Sequence, residues 1–178
     1  MSVEYPMVYS VTPAKIIRKY LMDKGVVGDS PAVNTTHAWP SSYSKMPTDP
    51  PQMVTFYTGT PVLDGHLMFG EAVVHPVVQI MARSEDPDVG DELLAAIQVI
   101  FNQVRPTEFV QLTDSTGANK RFQLHAALPI SNAAPLGAEH ADNLVQGNSK
   151  IPREVAKNDR RLTSQTFRFS ITEVEPTT

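Results

Sequence analysis

The sequence points to an α+β fold: a single domain with a mixed sheet of about five strands, two helices packed on one face and long surface loops. Three observations lead there. Two well-separated segments carry apolar residues at helical spacing, five others alternate or run apolar over strand lengths, and 15 prolines mark long irregular connections.

Size and composition bound what the chain can be. At 178 residues it fits one domain, able to hide about 70% of its extended surface without covalent staples. Cysteine is absent, which excludes disulfides and thiolate metal sites. A formal charge of −4 argues against broad affinity for polyanions, which rests on clustered Lys and Arg. No apolar run reaches the roughly 18 residues that span a bilayer, so no membrane association is expected. Residues 1–10 lack the charged start and apolar centre of a signal peptide, and a cytosolic origin is expected.

The elements follow in order. Thr12 and Pro13 open the first helix: Thr12 can cap free N–H groups, and the missing N–H of Pro13 costs nothing at that position. Ile16, Ile17, Tyr20 and Leu21 form its apolar face, and Gly25 its stop. A proline-rich stretch from Pro31 to Pro51, holding Trp39, reads as an extended strap. Met53 to Thr58 alternates as a strand, and residues 59–71 form a turn-rich excursion with Leu67, Met68 and Phe69 near its tip. Val73 to Arg83 is continuously apolar at its centre and reads as a strand buried on both faces.

Glu85, Asp86, Asp88, Asp91 and Glu92 then gather where a helix dipole favours negative charge. Val89, Leu93, Leu94, Ile97, Ile100, Phe101 and Val104 repeat at helical spacing until Pro106 ends the second helix. Phe109 to Thr113 and Lys120 to Leu128 read as a hairpin around residues 114–118. Residues 129–159 turn to Ala, Asn, Gly and Pro, a long flexible loop, and Leu162 to Val174 closes the chain as a strand.

The residues assemble no catalytic signature. The five histidines make no HxxxH or HExxH pair, and there is no GxSxG, Walker loop or GxGxxG. The loop segments Asp64-Gly-His66 and Glu139-His-Ala-Asp142 could each offer two metal ligands, but such residues are common in solvated turns. The acidic elbow lacks the closing Glu of an EF-hand, and Pro87 interrupts it. No metal, no cofactor and no enzymatic activity are expected. A metal-dependent hydrolase around His66, the elbow or His140 is the alternative from another class.

The order of pieces resembles the bacteriophage tail-terminator family, also described as minor capsid or minor tail proteins. The likeness runs from about Thr12 to Val174. It is carried by the first helix, Trp39-Pro40, Asp64-Gly-His-Leu-Met-Phe-Gly-Glu71 and the cassette His75-Pro-Val-Val-Gln-Ile-Met-Ala-Arg83 with its elbow and helix. The hairpin, Pro135-Leu-Gly137 and Gln165-Thr-Phe-Arg-Phe-Ser-Ile171 complete it. The core Pro-x-x-Gln-Ile-x-x-Arg, Pro76 to Arg83, is its most characteristic part.

The resemblance implies a virion structural protein of the tail and neck, assembled in the host cytoplasm. Copies would form a homo-oligomeric ring, expected to be a hexamer, that caps the tail tube and stops its polymerisation. The ring would meet the tail tube protein on one side and the head-side connector or stopper on the other. DNA would pass through without sequence-specific binding. Another neck component, a head-completion or stopper protein, is the near alternative. Residues 138–159 depart from the family pattern.

Candidate interface residues are the apolar tip Leu67, Met68 and Phe69, together with Arg83, Asp86, Asp88, Arg160 and Arg161. Arg83 can pair with a carboxylate of a neighbouring copy or with its own Asp86 or Asp88.

Overall fold

The computed structural model describes residues 9–29, 39–48, 50–66, 72–139 and 160–174. The first helix, α1, spans Pro13–Asp23 and buries Ala14, Ile16, Ile17, Tyr20 and Leu21. Pro13 opens it, but the Thr12 side chain makes no capping bond; instead its carbonyl accepts from Lys15 N at 3.0 Å and Ile16 N at 3.2 Å. The C-terminus is a Schellman closure, with Gly25 N donating to Met22 O at 2.9 Å and Val26 N to Leu21 O at 3.0 Å. That closure needs the left-handed φ of +73° that Gly25 supplies.

The strands outnumber the expected five. They are β1 (Val27–Asp29), β2 (Trp39–Tyr43), β3 (Met53–Thr58), β4 (Val62–His66), β5 (Ala72–His75), β6 (Val77–Ser84), β7 (Phe109–Thr113), β8 (Asn119–Pro129), β9 (Ala134–Glu139) and β10 (Arg160–Val174). Eight form one curled mixed sheet in the order β1-β2-β3-β6-β10-β8-β7, with β9 added on β10; β4 and β5 form a separate hairpin. The β1–β2 and β2–β3 pairs are parallel and the others antiparallel.

Two of the unexpected strands share a cause. β2 and β9 are irregular in local pattern and are each held by a partner from another segment of the chain. β2 lies in the proline-rich strap and registers Ser41 to Tyr43 against Val54 to Phe56. β9 lies in the stretch expected to be a loop. It pairs with the first residues of β10, and the register shift between Leu162 and Thr163 accommodates its Pro135.

The strand expected from Val73 to Arg83 breaks at Pro76, which cannot donate to a ladder and separates β5 from β6. The Pro76 carbonyl accepts from Phe169 N at 2.9 Å, so the break itself docks on β10. The second face of β6 is only half covered at Gln79 and Met81.

The second helix, α2, spans Pro87–Asn102, with Asp86 as N-cap. Both helices pack on the same sheet face. Leu93, Leu94, Ile97 and Phe101 of α2 join the α1 residues over Val54, Phe56, Val78, Ile80, Phe122, Leu124, Phe167 and Phe169 in one core. The register explains the face: Phe56 stands opposite Ile80, and Phe167 opposite Val78. Full burial of one such side chain contributes about 1.5–3 kcal/mol. α2 approaches the sheet closely at Gly90, where a Cβ would lie 3.2 Å from Ser84 Oγ.

The β7–β8 hairpin turns as expected. Asp114 Oδ1 accepts from Thr116 Oγ1 at 2.6 Å, Thr116 N at 2.8 Å and Ala118 N at 3.0 Å. Gly117 takes a φ of +87°. The Thr116 hydroxyl bond, aided by the two backbone N–H groups, holds the Asp114 carboxyl below the usual range.

Candidate functional site

The candidate interface residues from the sequence separate in space, and two of them converge unexpectedly. Arg83 is 1% exposed, inside the domain rather than on a surface offered to a neighbour's carboxylate. Its guanidinium donates to Thr48 O at 3.0 Å and Pro50 O at 2.6 Å. Arg160 Nη1 donates to the same Thr48 carbonyl. Two arginines therefore pin the proline-rich strap across one end of the sheet. A guanidinium suits this task because its fixed fork reaches several carbonyls at once.

Asp86 is occupied differently from the expected local ion pair. Its Oδ1 accepts from Asp88 N at 3.0 Å, which makes it the cap of α2. Asp88 is exposed in the first turn, where the helix dipole favours its charge. Arg161 is exposed, opposite Ser84 in the β10–β6 register. Leu67, Met68 and Phe69 lie outside the described residues, in the connection between β4 and β5.

Two open grooves flank α1. One, of about 520 Å³, lies between α1 and the β7–β8 hairpin and is lined by Lys19, Gln111, Leu112, Thr113, Asn119, Lys120 and Arg121. Two of its cations are paired: Lys19 with Asp23, and Lys120 with Glu173 at 3.2 Å. Arg121 stacks its guanidinium 3.7 Å from the centroid of the Phe109 ring. The second groove, of about 650 Å³, is lined by Tyr20, Lys24, Val104, Arg105 and Glu108 among others.

Its polar centre is a three-part staple. Tyr20 Oη donates to Glu108 Oε2 at 2.6 Å, and Lys24 Nζ to Glu108 Oε1 at 2.7 Å. Burial pushes the Glu108 carboxyl up, but the bonds from Lys24 and Tyr20 outweigh it and hold the group below the usual range. Burial, reinforced by the bond to Glu108, pushes the Tyr20 phenol up. The two groups titrate far from neutrality on opposite sides, so this pair fastens α1 to the start of β7 and is not tuned to exchange protons.

Among the described residues no three His, Asp or Glu side chains converge as a metal-binding group. His75 Nδ1 lies 3.3 Å from Phe169 O and His125 Nε2 lies 2.9 Å from Thr172 Oγ1. No described helix is long and apolar enough to cross a membrane.

The sequence reading missed the surfaces that stand out in three dimensions. Leu128, Ile130 and Leu136 are 50%, 54% and 52% exposed around the junction of β8 and β9. Ile130 N donates to Thr166 O at 2.8 Å, and Ser131 Oγ accepts from Thr166 N at 3.0 Å, so the junction is anchored on β10. Among the described residues β9 pairs only with β10, and its other edge is unmatched. On α2, Ala95, Ala96 and Val99 face solvent, Val99 at 54% exposure. The signal was present as Leu128-Pro-Ile130 and as the displacement of Val99 from the apolar stripe through Ile97. Single exposed apolar residues carry little meaning until neighbours are known. No family model matches the chain, and no curated protein matches it.

Proposed function

We propose that this chain is a structural subunit of a phage virion, a tail terminator. Copies close into a ring of about six, as heterologous contacts between different patches permit. The ring caps the tail tube, halts its growth and presents a surface to the head-side connector, while DNA passes through the opening.

One observation supports this reading most: Leu128, Ile130 and Leu136, each about half exposed, flank the junction of β8 and β9, and among the described residues β9 pairs only with β10. An exposed edge flanked by apolar side chains is a template for another chain, and stable monomers usually blunt such edges with charge or cover. The Pro76 to Arg83 cassette supplies the second support. Its residues from Val77 onward form β6, which pairs with β3 and β10 on either side.

The test adds the purified chain to polymerising tail-tube protein and measures tube length by negative-stain microscopy. Tubes capped at one end and arrested in length are expected, together with a discrete assembly of the free or tube-bound chain by mass photometry. Tubes that grow unchanged and uncapped overturn the terminator assignment; binding to the connector alone would reassign the chain as a stopper.

A further inference from the structure

The sheet has one face covered by α1 and α2, and no described helix lies on the other; the outer side of α2 and the opposite face of β7, β8 and β10 differ in charge. On the face of β7, β8 and β10 turned away from the helices stand Phe109, Arg121, His125, Leu128 and Arg168, with Gln, Asn, Ser and Thr side chains between them. The only carboxylate in those three strands is Glu173, and it faces the other way. It stands opposite Phe122 and is taken up by Ser10 and Lys120.

The outer side of α2 has the reverse character. From Glu85 to Val104 the chain holds five carboxylates and no Lys or Arg. Asp88, Asp91 and Glu92 are exposed, and the stripe continues along the helix through Ala95, Ala96 and Val99. A solvated helix face normally carries long charged side chains. Small apolar residues in those places leave a surface that another molecule can approach closely.

We infer that the outer face of α2 docks on a second copy of this chain, at the sheet face turned away from the helices. The inference rests on the ring reading above and deepens it by naming the two patches. Charge complementarity chooses the occupant: Asp91 and Glu92 meet Arg121 and its neighbours, and Val99 meets the apolar Phe109. The two patches lie on opposite sides of the sheet, so one molecule cannot bring its own together. A contact between opposite sides repeats head to tail, which is the geometry that closes a ring.

The experiment uses the full chain and two variants that reverse one patch each. Asp91→Lys with Glu92→Lys makes both patches positive; Arg121→Glu with Gln111→Glu makes both negative. Like charge across a contact opposes association, so each variant alone is expected to self-associate at least about tenfold more weakly in sedimentation velocity. An equimolar mixture of the two is expected to recover assembly, because each negative patch then meets a positive one.

The helix variant changes only exposed residues, so its assembling like the unaltered chain overturns the contact whatever becomes of the sheet variant. A mixture that stays dissociated, with both variants folded by circular dichroism, also overturns it. If the unaltered chain and both variants assemble equally, this contact falls and the ring reading stands. If the unaltered chain stays monomeric at every concentration, with or without tube protein, both fall. Binding of duplex DNA to the monomer, lost in the Arg121 variant, assigns the sheet face to a polyanion and overturns the docking.

Discussion

Phe101 is where α1, α2 and β10 meet, and replacing it measures whether the helices are seated as described. Its ring is 2% exposed. It lies edge-on to Phe167 at 4.9 Å and to Phe169 at 5.2 Å, and stacks with Tyr20 at 6.3 Å. Phe101→Ala removes a buried ring and leaves a cavity, a change that costs about 3–5 kcal/mol. A domain of this kind holds about 5–15 kcal/mol in total, so the variant loses a large fraction of its stability. Phe101→Leu keeps most of the volume and forfeits the ring pairs, with an expected cost of about 1–2 kcal/mol.

Urea unfolding followed by circular dichroism gives both numbers, with Trp39 fluorescence as a second probe, since Trp39 packs against the core. A double-mutant cycle with Phe167→Leu is expected to return a coupling of about 0.5–1.5 kcal/mol. A Phe101→Ala cost under about 0.5 kcal/mol, typical of an exposed site, would refute the packing of α2 on β10. So would a coupling of zero.

Two further outcomes follow from the polar contacts. Arg83→Met withdraws charged donors from the Thr48 and Pro50 carbonyls, and a loss of about 2–3 kcal/mol is expected. The strap should loosen with it, seen as faster tryptic cleavage after Lys45; unchanged cleavage and stability would show that Arg83 does not hold the strap. The Glu108 staple gives a pH dependence. Its carboxyl is held below the ordinary value of 4.5 in the folded chain, so below that pH the unfolded chain takes up the proton first. The stabilisation is present above pH 4.5 and fades as pH falls through the lower folded value. Thermal melts from pH 6 to pH 3 should therefore show a smaller acid-side loss for Glu108→Gln than for the unaltered chain, and identical curves would mean the staple carries no net stability.

Much of this architecture could be read from the chain because its signals are local. The spacing of Ile16, Ile17, Tyr20 and Leu21, and of Leu93, Leu94, Ile97 and Phe101, made both helices visible and named the faces they bury. Alternation did the same for the second half of β10 and marked β3 as a strand, although both faces of β3 are buried, and the β7–β8 turn was legible in Asp114 and Gly117. Of the candidate interface residues, Arg83 and Arg160 both donate to backbone carbonyls of the strap, contacts that the sequence did not suggest. Thr48 lies 35 residues before Arg83 and 112 before Arg160, and no pattern along the chain marks a carbonyl as an acceptor.

Amino-acid order by itself determined that this is an α+β chain with a cysteine-free core, two amphipathic helices and a carboxylate-rich entry to the second. Only the tertiary structure decided that the strap and the presumed loop contribute β2 and β9, that Pro76 divides one strand into two, and that the acidic outer side of α2 and the face bearing Arg121 and Arg168 lie on opposite sides of the sheet. The physical reason is one of range. A periodic apolar face is a property of residues within a turn or two of each other. Strand partnership, the burial of Arg83 and the sidedness of charge depend on pairings between segments tens of residues apart, and their energy exists only once those segments meet.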